Sequence, residues 1–269
     1  MGTYSVVNMA GSAGKTTTAT SLAVQVAQQG KKVLLIDFDA QCNTSGWFGI
    51  QVKTGDKTIS DVIRGETNFK EASIAIEGVP GLYVCPATRS GLDAVMVELT
   101  RSTDGVFLFH DRLRASNLDV DHIIIDCPGS YSVLVVAALL ATEADDDDDD
   151  AVSGVITCTQ PMLKENKGII DLINELKSIK KTYRRDIKLL AIVPCIVPGS
   201  ERQGYVYVEQ LESVQKAFPL ITTPPIRRSS AVPTAFTHQK PIPLFPKAKL
   251  VNEDYAAVRT HLQKRKCLA

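Results

Sequence analysis

Three short stretches of this 269-residue chain carry the residue types and spacing for phosphate and metal chemistry. The first is Gly11-Ser12-Ala13-Gly14-Lys15-Thr16-Thr17. Gly14-Lys15-Thr16 forms the core of a Gly-x4-Gly-Lys-Ser/Thr phosphate loop, although Met9 stands where the opening glycine belongs. Such a loop holds phosphate oxygens on backbone N–H groups, places a lysine on the outer phosphates and offers a hydroxyl to Mg²⁺. The second stretch is Asp37-Phe38-Asp39, closing the apolar run from residue 31. The third is Asp126, closing His122-Ile123-Ile124-Ile125. Each acid alone also fits a solvent-facing strand end. The three sets in this order fit one site better.

The elements that must position them are legible too. A short apolar run precedes the loop, and residues 31–39 and 122–126 read as continuous apolar runs, the pattern of parallel strands covered on both faces. Ala19 to Gln29 reads as the helix after the loop. In open parallel sheets ligands gather at the carboxyl ends of strands, which is where the lysine and all three acids fall. Further alternation follows: helices over 131–144, 169–179, 208–218 and 252–263, and strands over 151–158 and 188–193. The expected fold class is α/β, a doubly wound, mostly parallel sheet with helices on both faces, as one domain spanning 1–269.

Composition sets limits. Lys+Arg and Asp+Glu are balanced at 30 each, so net charge selects no partner and any affinity for DNA needs a local basic patch. No apolar run approaches the roughly 18 residues of a membrane span. The chain runs straight into its first strand, so no leader is expected. Six cysteines, at 42, 85, 127, 158, 195 and 267, include no Cys-x-x-Cys pair, which argues against structural zinc. Most lie in apolar strands and read as small hydrophobes. Asp145 to Asp150 is an unbroken acidic run, read as a solvated loop.

Five ordered segments resemble the ParA branch of the ParA/MinD-type deviant Walker A ATPases, over about residues 4 to 262. They are Asp37-Phe38-Asp39-Ala40-Gln41-Cys42-Asn43-Thr44-Ser45, Lys57 to Gly65, Leu82 to Ala87, Ile125 to Pro128, and Ser229 to Pro233 with Lys240-Pro241-Ile242. Ile125-Asp126-Cys127-Pro128 resembles the Walker B element. The resemblance implies a P-loop NTPase using ATP and Mg²⁺, with Gly11, Ser12, Ala13, Gly14, Lys15, Thr16, Thr17 and Pro225 on the nucleotide. It implies Thr16, Asp37 and Asp126 around Mg²⁺, with Lys15 and Asp39 catalytic, Asp39 orienting the attacking water. It further implies an ATP-dependent homodimer, non-specific nucleoid DNA binding through Arg202, Arg228 and Lys264, and a small adaptor protein, ParB-like or McdB-like. A cytoplasmic, nucleoid-associated protein without stable membrane association is expected.

Two departures stand out. Ala10 occupies the place of the signature lysine that crosses the dimer to the partner's phosphates, and Ser12 replaces a glycine. The lost lysine is also similar to the McdA carboxysome-positioning branch. Lys164 and Lys167, at the start of a helix on the nucleotide edge, are the expected substitutes; an exposed lysine pair there needs no phosphate. The alternative is a MinD-like membrane-positioning ATPase, which needs an amphipathic helix beyond the fold, whereas Tyr255, Val258 and Leu262 read as packing residues. A dethiobiotin-synthetase-like ligase and a non-hydrolysing nucleotide-gated module are further alternatives.

Overall fold

The computed structural model describes residues 1–9, 13–143, 152–198 and 204–269. Ala10, Gly11, Ser12, the 145–150 acidic run and Arg202 lie outside the described residues. Strands β1 (Gly2–Val7), β2 (Val33–Asp37), β3 (Ile74–Ala75), β4 (Leu82–Cys85), β5 (His122–Asp126), β6 (Gly154–Thr159) and β7 (Leu189–Pro194) form one sheet, ordered β3-β4-β2-β5-β1-β6-β7. All pairings are parallel except the short β3–β4 edge.

Why both faces are covered is visible in β2. Val33 and Leu35 enter one apolar core, and Leu34 and Ile36 enter the other. Alternate residues of a strand point to opposite faces, so an all-apolar strand demands a layer on each side. The first layer is α1 (Lys15–Ala27) and α11 (Lys249–Gln263). The second is α3 (Ile59–Arg64), α4 (Phe69–Ala72), α5 (Arg89–Arg101), α6 (Leu108–Ala115), α7 (Val133–Ala141) and α8 (Leu163–Tyr183). Short α2 (Asn43–Trp47) and α10 (Ala231–Thr237) flank the carboxyl end of the sheet, and α9 (Tyr205–Ala217) packs on α8. The doubly wound α/β fold is thus as the sequence patterning requires.

Boundaries moved where local chemistry overrode apolar periodicity. α1 begins at Lys15, not Ala19, because Gly14 takes a left-handed conformation (φ 89°) that starts the helix directly under the loop. α7 begins at Val133, because Ser132 is extended (φ −159°) and ends the turn after β5. α8 runs well past 169–179 at both ends; its buried stripe Gly168, Ile169, Leu172, Leu176 and Ile179 keeps helical spacing. α3 is fixed by a capping box, in which Asp61 accepts from the Thr58 backbone N–H at 2.8 Å and from its hydroxyl at 2.7 Å.

Candidate functional site

β1, β5 and β2 are adjacent in the sheet, so the residues at their carboxyl ends must converge. Asp37 and Asp126 are direct register partners, and both are fully buried. One oxygen of each is satisfied: Asp37 Oδ2 accepts from the Ser45 backbone N–H (2.9 Å) and hydroxyl (2.7 Å), and Asp126 Oδ2 accepts from the Thr44 hydroxyl (2.7 Å). α2 therefore braces the acid pair. Asp37 Oδ1 and Asp126 Oδ1 are buried with no hydrogen-bond partner among the described residues. Burial pushes the Asp37 carboxyl up to about 6 and, reinforced by the charge of Asp37, pushes Asp126 up to about 7.

That arrangement fits a divalent cation. Two apposed carboxylates, each with a buried oxygen left open, are costly in a dry site unless a cation or a proton sits between them. Thr16 stands close enough for its hydroxyl to pull Asp126 back down, so a third oxygen is at hand. No cluster of three His, Cys, Asp or Glu ligands occurs among the described residues. The remaining ligands of a hard, oxygen-seeking ion such as Mg²⁺ are left to water and substrate phosphate, as is usual for Mg²⁺.

Beside the acids, Gly14-Lys15-Thr16 opens α1 at the floor of a cleft of about 750 Å³. Lys15 is only 6% exposed, though it is charged and starts a helix. A helix N-terminus with a lysine and free N–H groups is built to receive anionic oxygen. Asp39 lies on the same cleft, half-buried, with Oδ1 accepting from the Gln41 backbone N–H at 3.0 Å.

Sequence reasoning missed part of this cleft. Pro128, Gly129, Ser130 and Ser132 line it, and the buried Ser132 Oγ has no partner among the described residues. The tight Cys-Pro-Gly-Ser turn after Asp126 was the available signal. Trp47 and Phe236, edge to face at 5.2 Å between ring centroids, form an apolar wall with Val232 and Pro233. Nothing in local sequence pairs a residue of α2 with one of α10.

A model of the AAA domain family matches residues 1–189, which hold the loop and all three acids. The chain belongs to this family, the ParA/MinD-type ATPases. It is 38% identical over 138 residues to the chromosome partitioning protein ParA of Caulobacter vibrioides, spanning 51% of either chain. It thus spans about half the length of that relative. It is 28% identical over 241 residues to the sporulation initiation inhibitor protein Soj of Bacillus subtilis, covering 89% of each. Its fold is similar to that of an ATP complex of McdA from Cyanothece, with TM-score 0.83, 19% identity, and coverage of 98% and 96%.

The other residues singled out within this family frame are more dispersed. Ala13 and Thr17 line the cleft with Gly14, Lys15 and Thr16, whereas exposed Pro225 is not among its lining residues. Lys164 and Lys167 are exposed in the first turns of α8, directly after β6, at the carboxyl edge but outside the cleft lining. Arg228 is exposed on the segment that pairs with Val197 beyond β7, and its neighbour Arg227 is bound to Asp254 of α11 at 2.7 Å. Lys264 is exposed at the far end of α11. At about 1.5 Å per residue, Lys264 lies on the order of 15 Å along that helix from Asp254. Arg228 and Lys264 therefore do not form a tight cluster. Tyr255, Val258 and Leu262 are buried against α1, as their spacing required. Among the described residues, no helix is long and apolar enough to cross a membrane.

Proposed function

We propose that the chain is a Mg²⁺-dependent ATPase, a single P-loop domain that forms an ATP-dependent nucleotide-sandwich homodimer. In this reading it binds DNA without reading sequence and positions or segregates a cargo through a small adaptor protein. The observation that carries the reading is the buried Asp37–Asp126 pair, each with an open oxygen, beside Lys15 and Thr16 at the head of a nucleotide-sized cleft. Relatives named for chromosome partitioning support a segregating role. The likeness to McdA supports the fold, and carboxysome positioning stands as the narrower form of the proposal.

Lys15 and the loop N–H groups hold the phosphates; Thr16, Asp37 and Asp126 hold Mg²⁺ directly or through water. When bound, Mg²⁺ offsets phosphate negative charge. Asp39 accepts a hydrogen bond from water and aims it. Slow turnover acts as a timer that the adaptor trips. The chain contains one tryptophan, and it is on the cleft wall. Titrating Mg²⁺-ATP is therefore expected to change Trp47 emission saturably in the native protein, and Lys15→Ala is expected to weaken that binding by about tenfold or more. An unresponsive Trp47 together with no heat of binding by calorimetry would end this reading.

Two nucleotides facing each other need a cation between them, and Ala10 carries none. Lys164→Ala is expected to abolish ATP-dependent dimerisation in sedimentation while monomer binding of ATP persists; Lys167→Ala should have the smaller effect. A normal dimer in the double variant would remove both lysines from the interface. For DNA, the ATP-loaded protein is expected to bind unrelated duplexes alike, with affinity falling steeply as salt rises. Alanine at Arg202, Arg228 and Lys264 should weaken all duplexes together. Strong preference for one duplex in competition would point to a sequence reader instead.

A further inference from the structure

Two thiols far apart in sequence meet beneath the phosphate loop. Cys158 lies in β6 and Cys195 directly follows β7 on the neighbouring strand, where its backbone N–H donates to Thr159 O at 2.7 Å. Both are fully buried or nearly so, at 0% and 1% exposure. Both converge on one hydroxyl: Thr18 Oγ1 is 3.4 Å from Cys158 Sγ and 3.7 Å from Cys195 Sγ. Thr18 sits one turn into α1, with its N–H on Gly14 O at 2.9 Å. Tyr255 OH closes the group at 3.4 Å from the same Thr18 oxygen.

Cys195 also supports the loop itself. A Cβ placed on Gly14 would meet both Cβ and Sγ of Cys195 at 3.2 Å, so the Gly14 backbone rests on that side chain. Cysteine as mere filler explains burial but not two thiols sharing a hydroxyl under a functional turn. Cys158 pairs with Val193 in register, so Cys195 is a diagonal neighbour, two residues further on. Neighbouring strands lie about 4.8 Å apart and rise about 3.3 Å per residue, so two positions offset by two residues stand about 8 Å apart, whereas a disulfide needs Cα atoms within about 7 Å. Closing a bond between them therefore pulls the Cys195 backbone back along the strand toward Cys158, against its hydrogen bond to Thr159 O.

We propose that Cys158 and Cys195 are an oxidisable modification site, closing to a disulfide beneath the phosphate loop and withdrawing the side chain on which Gly14 rests. The effect on the loop rests on the nucleotide-binding reading above. The oxidant class is a peroxide. The Cys158 thiolate attacks a peroxide oxygen and breaks the O–O bond, giving a sulfenic acid and, after protonation, water. The Cys195 sulfur then displaces the sulfenic oxygen as a second water, forming the S–S bond. Two thiols lose two protons and two electrons in all, and hydrogen peroxide is reduced to two waters. Burial raises the Cys158 thiol, but hydrogen bonds with Cys195 and Thr18 and the charge of Lys15 bring it net below the ordinary thiol value, favouring it as the attacking sulfur. In this proposal a bound nucleotide holds Gly14 against Cys195 and thereby protects the pair.

The test treats the full-length reduced protein with hydrogen peroxide, with and without Mg²⁺-ATP, and maps disulfides by peptide mass. The expected product without nucleotide is a Cys158–Cys195 peptide pair lighter by two hydrogens, formed about tenfold more slowly at ten times the ATP dissociation constant. Its formation should weaken ATP binding by about ten- to hundredfold, because small displacements of a positioning loop are costly. A thiol reductant should restore binding. Cys158→Ala, with Cys158→Ser as a second variant, should bind ATP normally and keep that affinity after peroxide. Absence of the linked peptide from folded, nucleotide-free protein overturns the proposal, as does a linked protein that binds ATP like the reduced one. Failure of the reduced protein to bind ATP strikes the functional reading instead and leaves the disulfide map to be judged by itself.

Discussion

Asp39→Ala is expected to lower ATP turnover by about 10²- to 10³-fold while leaving ATP affinity within a few-fold of the native value. The reason is positional. Asp37 and Asp126 are fully buried and braced by α2, whereas Asp39 is two residues beyond the strand end, half-buried on the cleft. Its Oδ1 is fixed by the Gln41 N–H, which orients the carboxylate toward the cleft without tying it to the acid pair. A carboxylate so placed can aim water but is not needed to hold phosphate. The stalled variant should accumulate as an ATP dimer. Single-turnover kinetics with sedimentation in ATP checks both parts, and native turnover in Asp39→Ala would remove this residue from the chemistry.

The second large effect concerns pH and metal together. Asp37 and Asp126 are raised to about 6 and about 7, above the ordinary value of 3.8 that applies in the unfolded chain. Between pH about 4 and 7 the metal-free native protein therefore holds protons that the unfolded chain has released. Stability must fall as pH rises through that window. A tenfold change in a group's proton affinity is worth about 1.4 kcal/mol, so the two acids together cost on the order of a few kcal/mol at pH 8. For a chain of this size that corresponds to a melting temperature about 5–15 °C lower at pH 8 than at pH 5 from these two acids. Mg²⁺ with nucleotide should remove most of the difference and release protons on binding. Asp126→Asn, which deletes one of the apposed charges, should flatten the slope and melt higher than the native protein at pH 8 without metal. Scanning calorimetry across that range with chelator decides the matter; a native melting temperature that climbs from pH 5 to pH 8 and an unchanged slope in Asp126→Asn would refute the coupling.

The fold class was legible in the residues alone, because five apolar runs separated by helical stretches have few other ways to bury both faces. The same runs also located the acid pair, since strand ends in a parallel sheet share one edge and Asp37 and Asp126 terminate strands of matching pattern. Helix ends were less legible. Gly14 and Ser132 set the starts of α1 and α7 through their backbone conformations, which apolar periodicity does not register. Tertiary structure alone decided which residues meet across elements. Trp47 and Phe236 are brought face to edge only by the packing of α2 against α10, and Cys158 and Cys195 only by the adjacency of β6 and β7 under α1. The same packing kept Arg228 and Lys264 apart, although both read as exposed basic residues near the end of the chain. Strand termini are fixed by local pattern, and contacts between distant elements by the order in which strands take their places in the sheet. The second kind of information is not written in any single stretch of residues.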